Sequence, residues 1–275
     1  MLGEQTAHQT RLIATDLDGT LLRDDRSLSA RTRQTLAKVQ AAGIALVQVT
    51  ARPPRFVKLL AEEEELGLRG AAICCNGALV YDITSGALVE HAPLASADAC
   101  ALVVALREAF PEVTFAIERG LAYGCEPAYL ALGSLTEPQG DLLGEAIALC
   151  GQPVTKLIAR HPQRAADELY PTALRLVGDR AVVTYSSPRF LEISASGIDK
   201  ATTLARYCKR LGIAPSEVVA FGDMPNDIPM LRWAGRGVAV ANAHPEALAA
   251  ADAITASNMA DGVARYLDEL LAAQR

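Results

Sequence analysis

The stretch "RLIATDLDGTLL", residues 11–22, runs an apolar, strand-like segment into two carboxylates one residue apart, Asp16 and Asp18, followed by Gly19 and Thr20. Strand residues two apart point the same way, so both carboxylates face one space at the carboxyl end of the strand. Open α/β sheets place their ligands at that end. Two like charges held together repel, so a cation must sit between them or one must carry a proton when it matters. A calcium loop is the plain alternative. It needs regularly spaced oxygen ligands and a closing acid, and Leu21 and Leu22 stand where such ligands would be.

A second stretch, "VVAFGDMPNDIPML" at 218–231, is another apolar strand ending in acid, with Asp223 after Gly222 and Asp227 four residues on. Laid beside the first in a parallel sheet, it brings both acids to the same edge. Thr50 closes the strand "IALVQVT", and Lys200 opens the helix after "LEISASGID". Taken singly, Thr50 reads as a helix N-cap and Lys200 as a surface lysine. Their placement beside the four acids makes them members of one candidate site.

The rest of the chain supplies the frame. "SLSARTRQTLAKVQAAG" reads as a helix capped by Ser27 or Ser29 and stopped by Gly43; "ARPPRFVKLLAEEEELGL" reads as another, with "AAICCN" a strand after it. Strand and helix alternate again from residue 199 to the end, closing on a helix with Val263, Tyr266, Leu267, Leu270 and Leu271 on one face. This rhythm predicts an α/β fold, a Rossmann-like parallel-sheet core. Between residues 82 and 188 the pattern changes to a hairpin turning at Ser85-Gly86, further antiparallel strands and helices, an α+β domain inserted into the core. The expected division is core at 1–81, insert at 82–188 and core again at 189–275, with residues 1–10 disordered. Glu62–Glu65 is expected on a solvated helix face.

Composition limits the function. The 275 residues are 51% hydrophobic and carry a formal charge of −6, without a Lys/Arg run, which argues against nucleic acid or an anionic membrane as partner. The first residues lack the features of a signal peptide, and no apolar run approaches a membrane span, so a cytoplasmic protein is expected. Six cysteines form no CxxC pair or zinc-like cluster and read as buried, reduced thiols. No GxGxxG follows a predicted strand, which disfavours a dinucleotide-binding dehydrogenase.

"DLDGTLL", "VTAR", Lys200 and "GDMPND" resemble, in order and context, the four motifs of the haloacid dehalogenase-like phosphohydrolases. "CNGA" at 75–78 and the position of the insert are similar to the Cof-type branch, whose large α/β cap follows the third core strand. One departure stands out: Ala51 replaces the usual glycine between Thr50 and Arg52, adding a methyl group and removing positive-φ freedom. The resemblance implies a phosphatase of small phosphorylated metabolites. Asp16 would be the nucleophile and Asp18 the acid and base. Asp16, Asp223, the Asp18 carbonyl and Asp227 would form the metal side. Thr50, Arg52, Asn76, Lys200 and Asn226 would form the substrate side, with Asn226 and Asp227 steadying metal waters, Asp16 or Lys200.

A carboxylate attacking a phosphate monoester faces roughly 8 kcal/mol of repulsion at ~4 Å and an effective dielectric of about 20. Oxygen ligands without a nitrogen or sulfur cluster point to Mg²⁺ as the ion that offsets it. A phosphomutase on the same core and a non-catalytic phosphate sensor are the rival readings. The insert is expected to close over the edge on hinges near 79–83 and 187–192. Glu118, Arg119 and Tyr123 read as an exposed hairpin tip.

Overall fold

The computed structural model describes residues 9–63, 70–133 and 141–274. Its strands are β1 (Leu12–Thr15), β2 (Ala45–Val49), β3 (Ala71–Cys74), β4 (Leu79–Asp82), β5 (Ala87–His91), β6 (Thr114–Arg119), β7 (Ala122–Cys125), β8 (Leu142–Leu143), β9 (Lys156–Arg160), β10 (Ala181–Ser187), β11 (Phe190–Ala195), β12 (Val218–Gly222), β13 (Arg236–Val240) and β14 (Ala253–Thr255). Among the described residues they form two sheets. One has the order β14-β13-β12-β1-β2-β3-β4-β5 and the other β10-β11-β9-β6-β7-β8.

The first sheet is parallel from β14 to β3. β1 and β12 are buried along their whole length, which is why both read as unbroken apolar runs. β1 lies between β12 and β2, pairing Leu12 with Val218 on one side and with Ala45 on the other. The chain therefore leaves β1 in one direction and returns on the other side, which opens a crevice at the carboxyl ends. Ser29 caps the helix Ala30–Ala41, its side chain accepting from the Thr32 N–H, and Gly43 follows the helix at φ +76°. In the final helix, Gly262–Ala273, Val263 and Leu267 are buried, and Tyr266, Leu270 and Leu271 pack against the same core.

The second sheet is antiparallel except where β7 meets β8. The helices Ser96–Ala109 and Ala166–Val177 cover one face, burying Leu102, Leu106, Leu169 and Ala173 against Phe115, Leu157 and Ile193. The opposite face carries Ala116, Glu118, Lys156, Ile158 and Glu192 toward the first sheet. The helix face is apolar, whereas this one mixes apolar side chains with buried charges.

Two expectations about the insert need correction. The hairpin with Gly86 at φ +73° is present, but β4 pairs with β3 and β5 pairs with β4, so the hairpin extends the first sheet. β11 belongs to the second sheet. The sheets therefore change over at 92–95 and 196–199, past the expected borders at 82 and 189. The expected hinges, 79–83 and 187–192, fall largely on the ladder-paired strands β4 and β11, whose hydrogen bonds oppose bending. Residues 1–8, 64–69 and the side chains of Glu62 and Glu63 lie outside the described residues, so the readings made there find no counterpart.

Candidate active site

Asp16 leaves β1 with its N–H donating to the Phe221 carbonyl at 3.0 Å, which ties the end of β1 to the end of β12. The next residues turn tightly, with Leu22 N–H returning to the Leu17 carbonyl at 2.8 Å. Gly19 makes this turn possible in two ways. Its φ is +75°, and a Cβ there would lie 2.6 Å from Asp223 Oδ2. Thr20 Oγ1 donates to Asp223 Oδ1 at 2.6 Å, so the "DGT" turn holds the acid of the other strand.

Lys200 begins the helix Lys200–Leu211, whose N-cap Asp199 accepts from the Thr202 N–H. Gly77, at φ +101°, lets the 75–78 loop touch this helix start, since a Cβ there would meet the Asp199 carbonyl at 2.2 Å. The Lys200 ammonium is 1% exposed and donates to Asp16 Oδ1 at 2.7 Å and Asp227 Oδ1 at 2.6 Å. Asp227 Oδ2 accepts from the Asp223 and Met224 N–H groups, both at 3.0 Å. Both oxygens of Asp227 are thus occupied inside the protein.

Asp16, Asp223 and Asp227 bring one oxygen each within 4.8 Å of one another, all three buried. Three carboxylates face one ammonium, so the cluster is short of positive charge. The acids register this. Burial, reinforced by Asp227 and Asp223 and opposed by Lys200, raises Asp16 well above the ordinary carboxylate range. Burial and the neighbouring Asp227 raise Asp223 to about 7. Burial alone would lower Lys200, but Asp16 and Asp227 outweigh it and raise the ammonium. An oxygen-only, charge-deficient cluster fits a hard divalent cation.

Thr50 Oγ1 accepts from the Arg52 N–H at 3.0 Å in a local turn, and because the next helix, Pro54–Glu63, starts four residues on, Thr50 is not its N-cap. Arg52 forks onto Asp18, Nε to Oδ2 and Nη2 to Oδ1, both at 2.8 Å, and its guanidinium lies 4.0 Å from the centroid of Phe56. Ala51 is not among the residues with positive φ, so the position does not need glycine's freedom. Asn76 and Asn226 bond each other, Nδ2 of Asn226 to Oδ1 of Asn76 at 2.9 Å. With Lys200 they line a second cavity of about 310 Å³, apart from the one containing Asp16, Asp18, Thr50 and Arg52.

That front cavity, about 270 Å³, lies between the two sheets. Its far wall includes Glu118, Tyr123, Lys156 and Glu192, none of which was assigned a site role from the sequence. Glu118 and Tyr123 do not form an exposed tip: Glu118 is 2% exposed and accepts a fork from Arg55, Nη1 to Oε2 at 2.6 Å and Nη2 to Oε1 at 3.0 Å. Arg119 turns aside to the Leu149 carbonyl. The missed signal is a period of two. In "TFAIER", "KLIAR" and "FLEISA" the helix-facing residues are apolar, while Glu118, Lys156 and Glu192 fall on the other parity. All six cysteines are free, five of them buried, and burial raises the thiols of Cys74, Cys75 and Cys208, so none of these three offers a ready thiolate. No helix among the described residues is long and apolar enough to cross a membrane.

A family model described as haloacid dehalogenase-like hydrolase matches residues 13–267. The chain belongs to the haloacid dehalogenase-like hydrolases. It is 30% identical over 264 residues to the 5-amino-6-(5-phospho-D-ribitylamino)uracil phosphatase YcsE of Bacillus subtilis (strain 168), covering 94% of each chain. It is 28% identical over 269 residues to the pyridoxal phosphate phosphatase YbhA of Escherichia coli (strain K12), covering 94% of this chain and 97% of that one. Among solved structures, the subclass IIB sugar phosphatase BT4131 superposes with a TM-score of 0.83 at 22% identity, covering 94% of this chain and 98% of its own. At that identity the likeness concerns the fold. Family and fold agree with the expectation of a Cof-type phosphoric monoester hydrolase on an α/β core.

Proposed function

We propose that this hydrolase is a Mg²⁺-dependent phosphatase of small phosphorylated metabolites that works through an aspartyl phosphate. The observation that carries this reading is Asp16. One of its oxygens is fixed by the buried Lys200, while its neighbours Asp223 and Asp18 lie on the same sheet edge. A carboxylate held by one oxygen is a directed nucleophile.

In this reading Asp16 forms a bond to phosphorus as the ester oxygen departs. Asp18 gives that oxygen a proton, then takes one from the water that cleaves the aspartyl phosphate. Asp18 needs a proton before it can act as the acid, and Arg52 holds both its oxygens, so the fork has to loosen as substrate enters. Thr50 offers a hydroxyl and Lys200 a charge to the group in transfer. Asp16, Asp223 and the Asp18 carbonyl would hold Mg²⁺, with Asp227 orienting Lys200 and the 223–224 backbone. The ion, when bound, supplies the charge that offsets the repulsion between carboxylate and phosphate. Asn76 and Asn226, bonded to each other beside Lys200, support that corner rather than contacting substrate. The second sheet is the cap that limits solvent and contacts the leaving group. The compartment is the cytoplasm, a reading supported by the unpaired thiols.

Phosphate release from an aryl phosphate, with Mg²⁺ and with chelator, tests the activity. Release that requires the ion is expected; release that continues undiminished in chelator would sink the metal-dependent reading.

The raised acids predict a pH dependence. In the cation-free protein Asp223 sits near pKa 7, above its unfolded value, so its contribution to stability is fully present below about pH 4 and is lost as pH rises through about 7. Asp223 would hold a divalent cation only after giving up that proton. Mg²⁺ affinity is therefore expected to rise with pH through about 7, and binding at about pH 6 to release protons. Titration calorimetry in two buffers of different ionisation heat reads the proton count. An affinity that does not change across this range would rule out Asp223 as a ligand that ionises on binding.

A further inference from the structure

Lys156 and Glu192 of the second sheet form an ion pair whose residues are only 3% and 1% exposed. Lys156 Nζ donates to Glu192 Oε1 at 2.6 Å, and Glu192 Oε2 accepts from Ser186 Oγ at 2.6 Å. Burial alone would raise Glu192, but Lys156 and Ser186 outweigh it and hold the carboxyl below its usual range, with help from the nearby Asn76 amide. That amide lies outside ordinary hydrogen-bond geometry. Both oxygens of Glu192 are thus engaged within its own sheet. Lys156 reaches out of the sheet and donates to the Ala51 carbonyl at 2.8 Å.

Ala51 stands between Thr50 and Arg52, and Arg52 grips Asp18 through both oxygens. Direct contacts therefore run from Glu192 to Lys156, to the Ala51 backbone, to Arg52 and to Asp18. Packing alone does not call for such a pair, since apolar side chains of similar volume often replace a buried ion pair without loss of stability. Apolar groups, however, cannot fix the direction of a carbonyl. We infer that Lys156 and Glu192 are positioning residues: by holding the Ala51 carbonyl when the second sheet lies over the edge, they set the 50–52 loop and, through Arg52, the place of the Asp18 carboxyl. This inference rests on the reading of Asp18 as the general acid.

The test compares two esters that differ in their need for an acid. p-Nitrophenolate leaves without a proton, whereas the alkoxide of glycerol 2-phosphate must receive one. Lys156→Met with Glu192→Leu removes the pair together, so that no lone charge stays buried. For this double variant kcat on the alkyl ester is expected to fall about 10- to 100-fold further than kcat on the aryl ester. KM for the aryl ester should stay within about threefold of wild type. Lys156→Arg, which keeps a charged donor, should preserve the wild-type ratio of the two esters.

An equal loss on both esters, or no loss, overturns the inference. If the double variant does not fold, the same ratio read on Lys156→Met with Glu192→Gln, which removes the donor to the Ala51 carbonyl while leaving Ser186 a neutral acceptor, decides the matter in the same way. Should the wild type release phosphate from neither ester, the phosphatase reading fails and takes this inference with it. Release with an unchanged ratio sinks this inference alone.

Discussion

Asp16→Asn is expected to release phosphate at least about 10⁴-fold more slowly than the wild type while remaining folded. The amide is isosteric and can still accept from Lys200, but it is far too weak a nucleophile to attack phosphorus. The cation-free fold should not suffer. Asp16 is raised well above the ordinary range because its charged form is disfavoured by burial and by Asp227 and Asp223, and asparagine removes that charge. The variant should therefore melt no lower than the wild type without Mg²⁺, and should gain less from added Mg²⁺. Mass spectrometry of acid-quenched turnover provides the second reading, a phosphoryl group on the peptide containing Asp16 in the wild type and none in the variant. Substantial activity in Asp16→Asn would refute covalent catalysis by this residue.

Much of this site could be read in the sequence because its parts lie at the ends of fully buried parallel strands. Such strands are apolar throughout, so an acid at the end of "LIAT" or "VVAFG" stands out, and the pairing of β1 with β12 brings the two ends together. The cap was less legible for two separate reasons. The turn at Ser85-Gly86 announces an antiparallel hairpin, but the identity of its neighbouring sheet is decided by β3, a tertiary partner. The partner of Glu118 is Arg55, 63 residues away, and no local pattern couples them. The alternation in β6, β9 and β11 did carry information. It marks a sheet with one apolar face and one charged face, and a charged face that is also buried has to meet something polar.

Lys200→Met is expected to lower stability by about 3–5 kcal/mol and turnover by about 10³-fold. The ammonium lies between Asp16 and Asp227 at 2.7 and 2.6 Å and is 1% exposed, so its removal leaves two buried carboxylates without their shared partner. Asp227 suffers more, because its second oxygen is committed to the Asp223 and Met224 N–H groups and it is fully buried. The deficit should widen as pH rises through about 7, where Asp223 also ionises, and shrink below that, where Asp223 keeps its proton. Urea titrations at several pH values measure it. Adding Asp227→Asn to Lys200→Met should recover much of the stability, since one uncompensated charge is gone while a side-chain oxygen remains for the two N–H groups. It should not recover turnover, because the charge facing the transferring phosphoryl group is still missing. Recovery of both together would mean that Lys200 serves only to neutralise Asp227. Recovery of stability alone separates its two roles, counter-ion to the fold and cation to the reaction.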